Sequence, residues 1–119
     1  MRWFLGLFVL LGTLYADITV VASDGKALTS SVSEKASRCD YYFVIDESGK
    51  IIEVIENRHK DVRGGASSAL VTMLKEKKAT HFIASSLGTK LVDALQSSSI
   101  HYTVYAGSVE SAVKDLVKK

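Results

Sequence analysis

Three glycine-containing junctions lie between strand or loop patterns and the helix patterns that follow them, and they suit an anionic ligand. They are Gly64-Gly65, Leu87-Gly88-Thr89 and Ala106-Gly107-Ser108. The start of a helix offers unpaired backbone N–H groups and a partial positive charge, and glycine lets a ligand approach the main chain closely. A tight turn explains each glycine taken singly. The three junctions together predict an anion site, although a purely structural role stays open.

The remaining reactive side chains give no catalytic motif. Cys39 is the single cysteine, so it is a buried inert thiol, a partner for another chain or a ligand. No nucleophile elbow, Walker loop, paired-cysteine motif or zinc-protease helix occurs. The carboxylates Asp24, Asp46 and Asp93 are scattered, whereas a metal nuclease needs acidic side chains that converge on Mg²⁺. The sequence therefore predicts a protein that is not an enzyme.

The three histidines are not spaced as a zinc motif, in which ligands recur at short intervals. His59 lies in a polar loop before the first glycine junction, from which it can reach Cys39 if the loop folds over the sheet end. His81 and His101 begin neighbouring predicted strands at the opposite end, so we interpret them as adjacent surface histidines.

Residues 1–16 have the features of an export signal. Arg2 supplies a positive charge, Trp3 to Leu11 are apolar, and Ala16 is a small residue before a predicted cleavage site. The apolar run is shorter than the roughly 20 residues that span a bilayer. We therefore expect a mature chain from Asp17 in the periplasm or extracellular space, with membrane attachment only if the segment is retained.

Length and charge point to one small domain without a nucleic-acid partner. The chain has 119 residues, of which 15 are basic and 13 acidic. Basic and acidic residues are interspersed, so the sequence indicates no positive electrostatic field strong enough to attract nucleic acid. Residues 17–119 are enough for a single core.

The patterns after residue 17 alternate between strands and helices and predict a three-layer α/β fold with a five-stranded mixed sheet. Residues 31–38 form either a short helix or a loop. In such a sheet, ligands bind beyond the carboxyl ends of the parallel strands, where the glycine junctions also fall. The predicted strands are Ile18–Ala22, Tyr41–Asp46, Ile51–Glu56, Thr80–Ser85 and Tyr102–Tyr105, and the predicted helices are Ala66–Lys78, Thr89–Gln96 and Val109–Lys118.

From Asp17 onward, the ordered features resemble the dinitrogenase iron-molybdenum cofactor biosynthesis family, the nitrogenase accessory factor-like proteins. The similar stretches are ITVVASDGKALTSSVSEKASRCDYYFVID, VIEN, Gly64-Gly65-Ala66, IASSLGTKLVDAL and IHYTVYAGSVESAVKDL. The resemblance implies a ribonuclease H-like topology, β-ββ-α-β-α-β-α, over residues 17–119. It also implies binding, carriage or storage of a metal-sulfur cluster, of the iron-sulfur or molybdenum/iron-sulfur type.

We expect such a cluster, or another anion, to bind at the strand ends, where the sheet topology and the glycine junctions place a site. Basic side chains there would hold the ligand electrostatically, and Cys39 or His59 would add a direct bond to a metal. The implied site residues are Arg38, Cys39, His59, Arg63, Gly64, Gly65, Ser85, Ser86, Gly88, Thr89 and Lys90.

Two departures from the family pattern favour an alternative function. Where the family often has Ser-x-His-Phe-Gly-Arg, this chain keeps Arg38 but has Lys35 in place of the histidine. Where two glycines often follow the fourth strand, it has Ser85-Ser86. The alternative is an exported interaction module that keeps the fold, has lost the cluster and binds a protein partner.

Overall fold

The structure is a computed structural model, and it describes residues 17–117. The export signal predicted at residues 1–16 lies outside this range. Within the described range, no helix combines the length and the apolar character that crossing a membrane requires.

The described residues form a five-stranded sheet with three helices, as the sequence predicts. The strand order is β3-β2-β1-β4-β5, in which β1, β4 and β5 are parallel and β2 and β3 are antiparallel neighbours. This order confirms the α/β class and the ribonuclease H-like topology. The strands are β1 (Thr19–Ser23), β2 (Tyr41–Ile45), β3 (Ile51–Glu56), β4 (His81–Ala84) and β5 (His101–Val104), and the helices are α1 (Ala66–Glu76), α2 (Thr89–Ser97) and α3 (Val109–Val117).

A tight turn joins β2 to β3 and fixes the antiparallel side of the sheet. Gly49 has a φ of 89°, which is accessible to glycine at little cost. The Asp46 carboxylate accepts hydrogen bonds from the backbone N–H groups of Ser48 and Lys50, at 2.9 and 3.0 Å. These local bonds replace the sheet pairing that the turn interrupts.

The helices cover both faces of the sheet, which gives three layers. On one face, Leu74 of α1 and Leu95 of α2 are fully buried against Phe82 of β4. On the other face, Val109 of α3 packs in a smaller cluster with Phe43 of β2. Apolar residues recur along each helix at a helical period, so each helix has one apolar side, and that side packs against the sheet.

Element ends differ from the sequence expectations by one or two residues, and the segment 31–38 forms no helix. Apart from one turn, in which Arg38 N–H donates to the Lys35 carbonyl at 2.9 Å, its backbone groups pair with other parts of the chain. Ser33 N–H donates to the Ala22 carbonyl at 2.8 Å, and the Ser33 carbonyl accepts from Ser85 N–H at 2.9 Å. Ser33 is fully buried, so its main-chain groups need these partners.

Candidate functional site

Residues 24–40, here called the crossing segment, run over the carboxyl ends of the three parallel strands. Ser33 joins the ends of β1 and β4, and Val32 N–H donates to the Gly107 carbonyl after β5 at 2.8 Å. The crossing segment therefore divides the edge formed by the carboxyl ends of the strands into separate clefts. Sequence periodicity gave no sign of this, because the segment is held by contacts distant along the chain.

The third glycine junction does not offer free helix amides, which corrects the expectation for Ala106-Gly107-Ser108. Val109 N–H donates to the Ser30 carbonyl, and Glu110 N–H donates to the Leu28 carbonyl, both at 2.9 Å. Ser111 N–H donates to Ser108 Oγ at 3.1 Å. The crossing segment and a serine cap thus satisfy the start of α3, and no anion is needed there.

The first two junctions begin helices that have no side-chain cap. Gly65 precedes α1 with a φ of 79°, and Gly88 precedes α2 in an extended conformation. Neither helix has an acidic residue in its first turn. The amides at these two helix starts keep the partial positive charge that attracts an anion.

One cleft brings together several of the residues predicted from the sequence, and we call it the cationic cleft. It lies between the crossing segment and the start of α2, with a volume of about 440 Å³. Ser67, from the first turn of α1, also lines it. The lining residues are Glu34, Lys35, Ala36, Ser37, Arg38, Ser67, Ser86, Gly88, Lys90 and Leu91.

Charge in the cationic cleft favours an anion. Lys35, Arg38 and Lys90 oppose a single acidic residue, Glu34. Within residues 17–117, neither lysine forms an ion pair, because the two recorded pairs are Lys60 with Asp40 and Lys77 with Glu53. All three basic side chains are thus available to compensate a ligand's negative charge, together with the α2 amides.

A second cleft, of about 580 Å³, lies on the other side of the crossing segment and contains Ser85. Glu34 and Lys35 line both clefts, whereas Asp24 and Asp40 make this one more acidic. Ser85 Oγ is buried without a hydrogen-bond partner among the described residues. The structure therefore separates Ser85 from Ser86, which lines the cationic cleft.

Cys39 belongs to the crossing segment, but its side chain points into the core and lines none of the clefts. Its side chain is 1% exposed, and the thiol donates to the Tyr41 carbonyl at 3.1 Å. Burial raises the pKa of the thiol from 9.0 to about 11, so the thiol is neutral at physiological pH. A cysteine binds a metal through its deprotonated thiolate form. The surroundings of Cys39 favour a structural role, and direct ligation by it stays a prediction.

His59 is exposed and lines a third cleft, of about 460 Å³, between β3 and α1. Its loop is tied to the crossing segment through Asn57, which is buried and donates through Nδ2 to the carbonyls of Ser37 and Cys39 at 3.1 and 2.9 Å. The His59 N–H donates to Asn57 Oδ1 at 3.0 Å. A ligand role for the His59 ring stays a prediction.

The remaining predicted residues surround these features. Arg63 and Gly64 are exposed just before α1, and Thr89 is the exposed first residue of α2. His81 and His101 are paired in register on β4 and β5 with ring centroids 6.1 Å apart, at the end away from the clefts. Among residues 17–117, no group of three or more His, Cys, Asp and Glu side chains is placed to hold a metal ion.

The sequence analysis named Lys35 as a departure but did not count it, Ser37 or Ser67 among the site residues. All three line the cationic cleft. In the sequence, the signal for this cleft was the pair of basic residues Lys35 and Arg38, separated by two small residues. Only the loop conformation shows that both side chains border the same cleft.

Comparison with known proteins agrees with this architecture. A family model described as dinitrogenase iron-molybdenum cofactor matches residues 17–119. The apo form of the orange protein from Desulfovibrio gigas has a similar structure, with a TM-score of 0.77 at 21% identity over 86% of this chain and 88% of that chain. A putative NifB protein from Thermotoga gives a TM-score of 0.71 at 29% identity, over 86% and 88% of the two chains. Among curated proteins, none matches the chain.

Proposed function

Because the chain belongs to the dinitrogenase iron-molybdenum cofactor family, we propose that it binds and carries an anionic metal-sulfur species in the cationic cleft without catalysing a reaction. The species is an iron-sulfur or molybdenum/iron-sulfur type cluster, or a related thiometallate. Membership in this family supports metal-cluster binding as a class, and the lining of the cleft supports the mode of binding.

One observation carries the proposal: three basic side chains and the uncapped start of α2 border the same cleft. Bridging and terminal sulfides of such clusters carry negative charge, so guanidinium, ammonium and backbone N–H groups are suitable donors to them. Arg38 can donate two parallel hydrogen bonds, whereas Lys35 and Lys90 act as mobile point charges. The cleft therefore fits an intact anionic cargo that brings its own sulfur ligands.

The donor set does not favour a metal held by protein ligands. No cysteine or histidine lines the cationic cleft, and the thiol of Cys39 is buried and protonated. Cargo held mainly by charge would exchange readily and would respond to ionic strength. Both properties suit a carrier, which has to release what it binds.

Reconstitution tests this function. Chain 17–119 would be incubated with iron or molybdate and sulfide under anaerobic conditions, desalted, and assayed by absorption spectra and metal analysis. We expect a coloured protein with bound metal, and equal metal retention by the Cys39→Ser variant. A colourless, metal-free protein under all conditions would contradict the proposal, whereas loss of metal in Cys39→Ser alone would support direct ligation.

The second candidate function is an interaction module without cargo. Lys35 and Ser85-Ser86 favour it, since they replace the histidine and glycines of the family pattern at this edge. A stable protein partner captured from the exported fraction, together with a chain that holds no metal after reconstitution, would establish this alternative.

Export completes the proposal. We propose that residues 1–16 direct the chain out of the cytoplasm and are removed, because they combine Arg2, an apolar run and Ala16. Mass spectrometry of the protein from the exported fraction should give a chain that starts at Asp17. Recovery of the full chain from membranes would instead show that the segment is retained.

A further inference from the structure

Arg38 contacts two features at once. It lines the cationic cleft, and its Nη1 donates to the main-chain carbonyls of Lys60 at 3.1 Å and Val62 at 2.5 Å. A guanidinium group has five N–H donors, and these two bonds use only Nη1. The edge formed by Nε and Nη2 is the one that matches a bidentate anion. Residues 57–63, here called the clasp loop, thus fix one end of the guanidinium group. Within residues 17–117, no hydrogen bond or ion pair uses the Nε and Nη2 edge.

Asn57 fixes the clasp loop to the crossing segment. Its side chain is 6% exposed and donates to the carbonyls of Ser37 and Cys39, on either side of Arg38 in sequence. Its own N–H donates to the Asp40 carbonyl at 2.9 Å. An exposed pair between Lys60 and Asp40 adds to the contact, although such pairs contribute little. The loop and the base of Arg38 therefore form one hydrogen-bonded unit.

We propose that the clasp loop positions Arg38 for anion binding and that a bound anion in turn stabilises the clasp loop. The inference rests on the proposed function of the cationic cleft. A guanidinium group already held in place loses less side-chain entropy when it binds an anion. Linkage makes the effect reciprocal, because a loop conformation that favours the anion is favoured by the anion to the same extent. Asn57 is then a positioning residue that acts on the cleft through Arg38.

Trypsin cleavage measures the state of the clasp loop directly, since Arg58, Lys60 and Arg63 lie in it and are exposed. Tetrathiomolybdate, a molybdenum-sulfur dianion, serves as the ligand. For the wild-type chain 17–119, we expect saturating tetrathiomolybdate to slow cleavage at these residues at least threefold. Cleavage after Lys26, an exposed residue in a turn of the crossing segment, is the internal control and should change less.

Variants separate positioning from charge. Arg38→Gln should raise the rate of loop cleavage without ligand and should abolish the protection. Arg38→Lys keeps the charge but has a single donor nitrogen, so it cannot hold both loop carbonyls and still present a planar two-nitrogen edge to an anion. Its affinity for tetrathiomolybdate should fall about tenfold. Asn57→Ala should weaken binding similarly, whereas Asp61→Asn, at an exposed residue of the same loop that lines none of the three clefts, is the matched control and should not weaken binding. Where Asn57→Ala fails to fold, Arg38→Lys alone decides.

The outcomes distinguish this inference from the proposed function. A wild-type chain that binds no tetrathiomolybdate would overturn both. A wild-type chain that binds it, with unchanged affinity in Arg38→Lys and equal loop cleavage with and without ligand, would overturn the positioning role and leave the cationic cleft standing. Faster loop cleavage in ligand-free Arg38→Gln, together with protection of the wild type, supports it.

Discussion

The buried thiol of Cys39 should make the fold sensitive to alkaline pH. Its pKa is raised from 9.0 to about 11 in the folded chain, chiefly because burial removes the thiolate from water. The unfolded chain therefore loses this proton at lower pH than the folded chain does. The stabilising contribution is fully present below about pH 9 and is lost as the pH rises through 11.

The size of the effect follows from the two pKa values. With one pKa unit equivalent to about 1.36 kcal/mol, the free energy of unfolding should fall by about 1.4 kcal/mol between pH 8 and pH 10 through Cys39 alone. The buried Tyr42 hydroxyl, whose pKa is also raised by desolvation, adds to the loss at higher pH. The free energy of unfolding should therefore be compared at pH 10 or below, where Tyr42 contributes least to the loss.

Urea denaturation at pH 8, 9 and 10 tests this prediction. Cys39→Ser keeps a hydroxyl that can donate to the Tyr41 carbonyl but does not titrate in this range, so its unfolding free energy should fall less than that of the wild type. The native wild-type thiol should also react slowly with a disulfide reagent at pH 8. Equal pH dependence in the two proteins, or rapid labelling of the native chain, would show that Cys39 is accessible and would favour it as a metal ligand.

Two further substitutions, each paired with a control variant, test positions that stabilise the fold. Gly65→Ala should lower the free energy of unfolding by about 1 kcal/mol, because a φ of 79° disfavours a residue with a side chain. Gly64→Ala should be nearly neutral. Urea denaturation of both variants checks this prediction, and equal effects would contradict it. Leu74→Ala should cost about 2–5 kcal/mol, because Leu74 is fully buried on the side of α1 that faces the sheet. Leu28→Ala, at a site 37% exposed, should change stability by less than about 0.5 kcal/mol. Thermal unfolding distinguishes the two.

The regular elements could be predicted from the sequence because each has a local signal. The helix that begins after Gly65 repeats apolar residues at a helical period, and the hairpin around Gly49 joins two β-branched runs. The mixed sheet followed from a hairpin joined to strand-helix units, and the ribonuclease H-like topology followed from the resemblance. These features depend on neighbours in sequence. The main errors were in the predicted ends of the elements, for example at α1, which ends at Glu76 and not at Lys78.

The site was only partly predictable. Arg38 and Lys90 were named as basic groups for an anionic cluster, Gly88 was named from its glycine junction, and all three line one cleft. The division of the strand edge into separate clefts was not foreseen, because the crossing segment is fixed by bonds such as Ser33 to Ala22, between residues that periodicity does not relate. The burial of Cys39 is likewise a consequence of tertiary packing.

A charge-substitution titration tests the central claim, that cargo is held by the basic groups of the cationic cleft. Tetrathiomolybdate would be titrated into the wild type, Lys90→Gln and the matched surface control Lys114→Gln, at low and at high ionic strength. We expect Lys90→Gln to lower affinity about threefold to tenfold at low salt, with a smaller difference at high salt and no change in Lys114→Gln. Equal affinities for the three proteins, independent of salt, would contradict the account.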